Sequence, residues 1–211
     1  MPNLLAFGDS NTHGTPPIST RGVHARYDGQ TRWPRVAQAA LGPGWDLVEE
    51  GLPGRTAQFD DPVMDGIMNG LPALRQALQS HGPLDVLTVM LGTNDVKTRF
   101  GASAEAVMGG IAGLLDLALG LEMQTRHGGF QLLLICPPPV LETGALAGDF
   151  WGARVKSQAL PSLLAALAAS RGCGFLDAGQ VIEVSAVDGV HFEAEAHRRL
   201  GLAVAEAVAR L

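Results

Sequence analysis

The chain has 211 residues, of which 46% are hydrophobic and 17% charged, which suits the core of one domain and does not force two. A formal net charge of −6 without any basic run disfavours nucleic acid and anionic membranes as partners. No positively charged leader precedes the first apolar run, and no stretch approaches the ~18 apolar residues of a membrane span. We predict a single domain over residues 1–211 in the cytoplasm.

Five short apolar runs, each soon followed by glycine, proline or an acid, have the pattern of buried parallel strands. In chain order they are Leu4–Phe7, Leu47–Val48, Val86–Leu91, Leu132–Cys136 and Phe175–Leu176. Helical patterns lie between or after them, at Trp33–Leu41, Pro72–Gln79, Ser103–Gln124, Ser157–Arg171 and Glu193–Leu211. This alternation predicts a three-layer α/β/α domain with a five-stranded parallel sheet in the flavodoxin-like order 2-1-3-4-5.

Polar residues follow four of the five predicted strands. They are Gly8-Asp9-Ser10, the loop that ends at Gly54, Gly92-Thr93-Asn94-Asp95, and Asp188 with His191 before the last helix. The carboxyl ends of parallel strands meet at one edge of a sheet, where ligands bind. We therefore expect these loops to form one site.

A serine becomes a nucleophile when a base removes its proton and a carboxylate orients that base. Ser10, His191 and Asp188 are the candidates for these roles. The backbone N–H groups of Ser10 and Gly54 and the Asn94 amide are candidate donors to an oxyanion. Each motif alone is ordinary turn or helix-cap chemistry, and no G-x-S-x-G motif surrounds Ser10. Their occurrence together, in loops at one sheet edge, favours the catalytic interpretation.

Other residues receive weaker predictions. His13 lies near Ser10 but has no evident carboxylate partner, so we place it in the pocket wall rather than as the base. Apolar candidates for the wall are Leu52, Phe150, Trp151, Val190 and Phe192. We expect surface positions for His24, His81, His127 and His197, and a solvated loop for Asp60, Asp61 and Asp65. Both cysteines, Cys136 and Cys173, are predicted to be buried thiols, and no metal or cofactor is expected.

The four polar blocks, which span residues 8–191, resemble those of the SGNH (GDSL-type) hydrolase family. Finer similarity to a bacterial arylesterase/acyltransferase-like subgroup comes from Arg32-Trp33, Val48 to Leu52, Arg55-Thr56, Asp60 to Pro62, Met90 to Asp95 and Asp188 to Phe192. Two positions depart from the family pattern: Asn11 stands where leucine follows the serine, and Glu50 stands where asparagine is frequent. The resemblance implies the same roles for Ser10, Asp188, His191, Gly54 and Asn94, and it suggests a homo-oligomer.

The residues and the resemblance together predict a serine esterase that acts on short-chain carboxylic esters without a cofactor. Acyl transfer to alcohols is a further possibility implied by the subgroup. Two alternatives stay open: a carbohydrate O-deacetylase of the same fold, and a non-catalytic binding module with a degenerate site. The substrate in either enzymatic case is a small-molecule ester.

Overall fold

The computed structural model describes residues 1–211 and contains one five-stranded sheet. The strands are β1 (Asn3–Gly8), β2 (Asp46–Gly51), β3 (Val86–Met90), β4 (Gln131–Cys136) and β5 (Gly174–Asp177). Their order is β2-β1-β3-β4-β5, and every neighbouring pair is parallel. The predicted sheet and its strand order are confirmed.

Seven α-helices connect or follow the strands. They are α1 (Ser10–His13), α2 (Trp33–Leu41), α3 (Gly70–Ser80), α4 (Ala104–Leu119), α5 (Leu121–His127), α6 (Ala153–Arg171) and α7 (Ala194–Val208). Short 3₁₀ helices occupy Thr98–Phe100, Gly144–Phe150 and Ala178–Gln180. The one-turn helix α1 and the 3₁₀ helices are too short for a periodic pattern to predict.

Two hydrophobic cores lie on opposite faces of the sheet. In β1, Leu5 and Phe7 point to the face covered by α3, α4 and α6, while Leu4 and Ala6 point to the face covered by α2 and α7. β3 is buried along its whole length, whereas the edge strands β2 and β5 are only half-buried. Burial of all five strands was therefore a wrong prediction, because an edge strand has only one neighbour to cover it.

The predicted helix Ser103–Gln124 is two helices, α4 and α5, that meet at Gly120. This glycine has an extended ψ of 148°, so it ends the first helix and begins the second, and the axes bend by 49°. No single helix is long and apolar enough to span a membrane, and only this bent pair passes the same test jointly.

Several polar residues are buried where the sequence predicted solvent exposure. His127 donates from Nε2 to the Leu78 carbonyl at 2.9 Å and accepts from the Leu84 N–H. His197 is 0% exposed, accepts at Nδ1 from the Trp33 N–H, and meets the rings of Tyr27 and Phe192. Sequence patterns do not reveal such tertiary partners, so these two predictions were wrong.

The acidic loop and the cysteines also differ in part from expectation. Asp60 and Asp65 are exposed, but Asp61 is fully buried and paired with Arg99, with Oδ2 2.6 Å from Nη2. A buried carboxylate needs such a partner, and the arginine comes from the loop after β3. Cys136 is buried as predicted, whereas Cys173 is half-buried at the end of α6.

Candidate active site

The turn after β1 presents Ser10 at the carboxyl edge of the sheet. Asp9 accepts a hydrogen bond from the Asn11 N–H at 2.9 Å and so caps α1, the helix that begins at Ser10. Asn11 in turn donates from its side chain to the Val190 carbonyl at 3.1 Å. The asparagine that departs from the family pattern thereby ties the serine turn to the histidine loop, a role that sequence reasoning missed.

A continuous chain of hydrogen bonds joins Ser10, His191 and Asp188. Nε2 of His191 lies 3.0 Å from the Ser10 hydroxyl oxygen, and Nδ1 lies 2.6 Å from Oδ2 of Asp188. When Asp188 is ionised, Nδ1 of His191 carries the proton and donates a hydrogen bond to the carboxylate. Nε2 then accepts a hydrogen bond from the Ser10 hydroxyl. The arrangement is that of a nucleophile, a base and an orienting carboxylate, although 181 residues separate Ser10 from His191.

Backbone groups hold Asp188 in place. Oδ1 accepts from the N–H groups of Val190 and His191 at 2.9 Å each, and Oδ2 also accepts from the Ile18 N–H at 2.7 Å. Burial acts to raise the pKa of Asp188, but the hydrogen bonds from His191 and Ile18 and the attraction of the imidazole outweigh it, so the pKa is lowered. The group therefore stays a carboxylate at neutral pH.

Gly189 makes the turn between the carboxylate and the histidine possible. Its φ of +76° lies in the left-handed region, and a Cβ there would overlap the carbonyl oxygen of Leu141. The backbone of Leu141 lies close to Gly189 because the Leu141 N–H donates to the Gly189 carbonyl at 2.8 Å. The loop after β4 therefore supports the segment that carries Asp188 and His191.

Two further groups face the same space as Ser10. Gly54 has a φ of +91° and lines the cavity beside the serine, and its N–H donates to no acceptor within the protein. Asn94 also lines the cavity, and its Nδ2 contacts the Arg55 carbonyl at 3.0 Å and Asp9 Oδ2 at 3.3 Å. The Gly54 N–H, the N–H at the start of α1 and the Asn94 hydrogen that otherwise makes the longer contact with Asp9 are donors suited to an oxyanion.

Buried polar contacts join the loops that carry these donors. Both carboxylate oxygens of Asp95 accept from the Ala57 N–H, at 2.9 and 3.0 Å. Arg55 donates to the Gly8 carbonyl at 3.0 Å and to the Glu50 carbonyl, and its guanidinium lies over the Phe7 ring. Asp95 and Arg55 thus tie the loops together.

The two buried acids behind the site have raised pKa values. Burial raises the pKa of Asp9 to about 6, against the hydrogen bond from the Asn11 N–H. Burial also raises the pKa of Asp95 to about 7, and the nearby charge of Asp9 adds to the shift. The two carboxyl groups therefore titrate close to neutral pH while remaining hydrogen-bonded.

A cavity of about 350 Å³ opens beside Ser10 and His191. Of the predicted wall residues, His13, Phe150 and Val190 line it. The other three do not: Leu52 lies outside the lining, the Trp151 side chain is 72% exposed, and Phe192 is buried against His197 in the core beneath α7. Placing them in the wall was wrong, because Trp151 is left at the surface where the 3₁₀ helix ends, Phe192 is buried in the core before α7, and Leu52 lies outside the cavity directly after β2.

His13 is not arranged as a base. Its Nδ1 lies 3.2 Å from the Thr15 hydroxyl, and it forms no contact with a carboxylate. Partial burial and the positive charges of Arg26 and Arg32 lower its pKa. His13 therefore stays a neutral wall residue, in keeping with its predicted position.

Charged residues in the cavity lining were missed by the sequence reasoning. Arg21, Lys97, Arg99 and Asp149 all line the cavity. The sequence offered two indications, since Lys97 lies three residues after Asn94 and Asp149 directly precedes Phe150. Nowhere does the structure group three or more histidine, cysteine or acidic side chains in a way that could hold a metal ion.

Comparison with known proteins agrees with this geometry. Residues 6–199 match the model of the GDSL-like Lipase/Acylhydrolase family. A carbohydrate acetylesterase from Sinorhizobium meliloti is 36% identical with a TM-score of 0.94, and the match covers 100% of this chain and 99% of that one. The native aryl esterase of M. smegmatis is 34% identical with a TM-score of 0.95, and both chains are covered completely.

No match was found among curated proteins. The family model nevertheless spans nearly the whole chain, and the two solved structures share both its fold and more than a third of its residues. The chain therefore belongs to the GDSL-like lipase/acylhydrolase family and is a carboxylic ester hydrolase with the SGNH fold.

Proposed function

We propose that the protein is a serine esterase that hydrolyses short-chain aryl or alkyl carboxylic esters through an acyl-enzyme on Ser10. The observation that carries this proposal is the hydrogen-bonded chain Ser10–His191–Asp188, which opens onto the cavity. A binding module with a degenerate site would have no need of this complete and buried arrangement.

The first half of the reaction forms the acyl-enzyme. The Ser10 oxygen attacks the ester carbonyl carbon while Nε2 of His191 takes the hydroxyl proton, and Asp188 stabilises the resulting imidazolium. The N–H groups of Ser10 and Gly54 and the Asn94 amide donate to the oxyanion. When the tetrahedral intermediate collapses, the alcohol leaves with the proton held by His191.

In the second half, water repeats the attack on the acyl-enzyme, and the carboxylic acid leaves from Ser10. An alcohol that enters the cavity in place of water would yield a new ester by the same steps, which is the proposed acyl transfer. The cavity volume of about 350 Å³ favours small acyl and alcohol groups.

A carbohydrate O-deacetylase is the second candidate. The charged side chains of Arg21, Arg99 and Asp149 give the cavity wall hydrogen-bonding groups that could meet sugar hydroxyls. Structural relatives include both an aryl esterase and a carbohydrate acetylesterase, so they favour neither candidate. An acetylated sugar therefore belongs in the substrate panel.

The test measures kcat/KM for p-nitrophenyl acetate, butyrate and octanoate and for a peracetylated sugar, with Ser10→Ala and His13→Ala as variants. We expect fastest turnover of the short p-nitrophenyl esters, loss of activity in Ser10→Ala and retained activity in His13→Ala. Equal turnover by the wild type and Ser10→Ala would refute the nucleophile assignment. A fluorophosphonate adduct mapped to another residue would refute it as well.

Cytoplasmic location and homo-oligomeric assembly stay predictions. Fractionation of cells would test the first, and sedimentation velocity on the purified protein would test the second. The expected lack of membrane and nucleic-acid partners likewise rests only on the charge and composition of the chain.

A further inference from the structure

The cavity wall holds one cationic side chain that forms no ion pair in the protein. Arg21 donates to Asp149 Oδ2 at 2.7 Å, and Arg99 donates to Asp149 Oδ1 at 3.2 Å. Arg99 is also paired with the buried Asp61. Asp149 in the wall and Asp61 buried behind it are therefore already engaged by arginine.

Lys97 is the cation of the cavity wall that has no such carboxylate partner. Its side chain lies in the cavity lining and the residue is only 6% exposed, yet its Nζ makes no hydrogen bond or ion pair in the protein. The ammonium sits 5.8 Å from the centre of the Phe150 ring, which also lines the cavity. Nζ is not among the buried polar atoms that lack a partner, so the ammonium is accessible from the cavity, where a ligand carboxylate can replace solvent as its partner.

We infer that Lys97 is a specificity-determining residue that binds a carboxylate carried by the substrate, so that the enzyme prefers esters with a free acid group. This inference rests on the proposed esterase function, since Lys97 and Ser10 line the same cavity. A carboxylate of the substrate would supply the partner that Asp61 and Asp149 cannot. Arg99 and Phe150, which also line the cavity, would lie on either side of the bound carboxylate.

The electrostatic surroundings of Lys97 agree with this role. Burial and the positive charge of Arg99 lower its pKa to about 8, whereas Asp61, Asp149 and Asp9 act in the opposite direction. Below that pH the ammonium is charged and can attract an anion, and above it the attraction is lost. A preference for anionic esters should therefore weaken as the pH rises through about 8.

The test uses two matched pairs of substrates. On the acyl side, mono-p-nitrophenyl glutarate is compared with the neutral ester in which a methyl ketone replaces the free carboxylate. On the alcohol side, p-acetoxybenzoate is compared with p-acetoxyacetophenone. In each pair we measure the ratio of kcat/KM for the anionic ester to kcat/KM for the neutral ester. Dividing the wild-type ratio by the variant ratio removes the difference in intrinsic reactivity between the two esters.

We expect Lys97→Met to lower this ratio about 10- to 100-fold in one of the two pairs, as the loss of a charge-assisted hydrogen bond predicts, and the affected pair identifies the side that carries the carboxylate. Lys97→Arg should retain most of the preference. The only other lysine, Lys156 on α6, provides the control, and Lys156→Met should leave both ratios unchanged. A ratio that changes less than about twofold in both pairs overturns the inference.

A second measurement keeps the inference testable if Lys97→Met does not fold. In the wild type, the ratio for the preferred pair should fall as the pH rises from about 7 to about 9, and a flat profile would overturn the inference. Hydrolysis of the neutral esters reports the proposed function separately. If the wild type hydrolyses neither the neutral nor the anionic esters, the esterase proposal fails, whereas Ser10-dependent hydrolysis without a Lys97-dependent ratio refutes only the inference.

Discussion

At the scale of single residues, the site is built from groups whose other hydrogen bonds are already satisfied. Asp188 uses both oxygens on backbone N–H groups and still reaches Nδ1 of His191. Asn94 is held by the Arg55 carbonyl. Such fixed donors and acceptors need little reorganisation when charge develops, which is the usual source of electrostatic stabilisation in acyl transfer.

Asn94→Ala tests the oxyanion role at this scale. Loss of one donor typically lowers kcat about 10²- to 10³-fold, and we expect this loss with p-nitrophenyl acetate. Asn69→Ala is the matched control, because the Asn69 side chain, like that of Asn94, makes two hydrogen bonds, but it lies at the start of α3 and outside the cavity lining. Both variants should lose stability to a similar degree, but only Asn94→Ala should lose rate. Equal rates for the two variants would remove Asn94 from the mechanism.

At the scale of elements, the site depends on five loops joined across the carboxyl edge of the sheet. Asn11 joins the first loop to the last, Asp95 joins the second to the third, and Leu141 joins the loop after β4 to Gly189. These ties run between backbone and side chain or between two backbones. A substitution that moves one loop should therefore disturb its neighbours.

Gly189→Ala and Gly172→Ala separate the cost of a positive φ from the cost of a steric clash with neighbouring backbone. Both glycines have positive φ, 76° and 66°, so an alanine at either costs about 1–2 kcal/mol of unfolding free energy. Only at Gly189 does the new Cβ also meet backbone, the Leu141 carbonyl, whereas nothing lies within 4 Å at Gly172. We expect Gly189→Ala to lower the free energy of unfolding, measured in urea, by more than Gly172→Ala does. Only Gly189→Ala should also lower kcat. Similar behaviour of the two variants would contradict the close packing of these loops.

At the scale of the whole molecule, buried histidine links folding stability to pH. His197 packs α7 against α2, and burial, with smaller contributions from the charges of His191 and Arg32, lowers its pKa to about 4. The unfolded chain, with a pKa near 6.5, binds a proton that the folded chain rejects. Stability from this group is complete above pH 6.5 and is lost as the pH falls towards 4.

His197→Asn should remove this dependence, because an amide oxygen can accept from the Trp33 N–H but does not titrate. Between pH 6.5 and pH 4, we expect the wild type to lose about 3 kcal/mol of unfolding free energy relative to the variant, the equivalent of a shift of two to three pKa units. Urea unfolding at a series of pH values measures the difference. A difference that does not vary with pH would show that His197 is accessible to protons when folded.

The fold was largely predictable because short apolar runs alternate with amphipathic helices, and the strand order followed from the fold class. Burial was harder to predict. His127 and His197 lie in helices whose local patterns do not reveal which ring or carbonyl of another element covers them. Trp151 and Phe192 are apolar residues next to the correct loops, but the backbone turns direct their side chains elsewhere. Lys97 was overlooked because its lack of a partner depends on arginines 76 residues before it and two after it engaging the nearby acids.

The separation of Ser10 from His191 has a consequence for synthesis of the protein. The proposed nucleophile emerges from the ribosome 181 residues before its proposed base. A nascent chain that has completed β1 to β5 contains every strand of the sheet but lacks the proposed proton acceptor for the serine. On the proposed mechanism, ester hydrolysis begins only when translation has passed His191, so turnover would report that the C-terminal segment has docked.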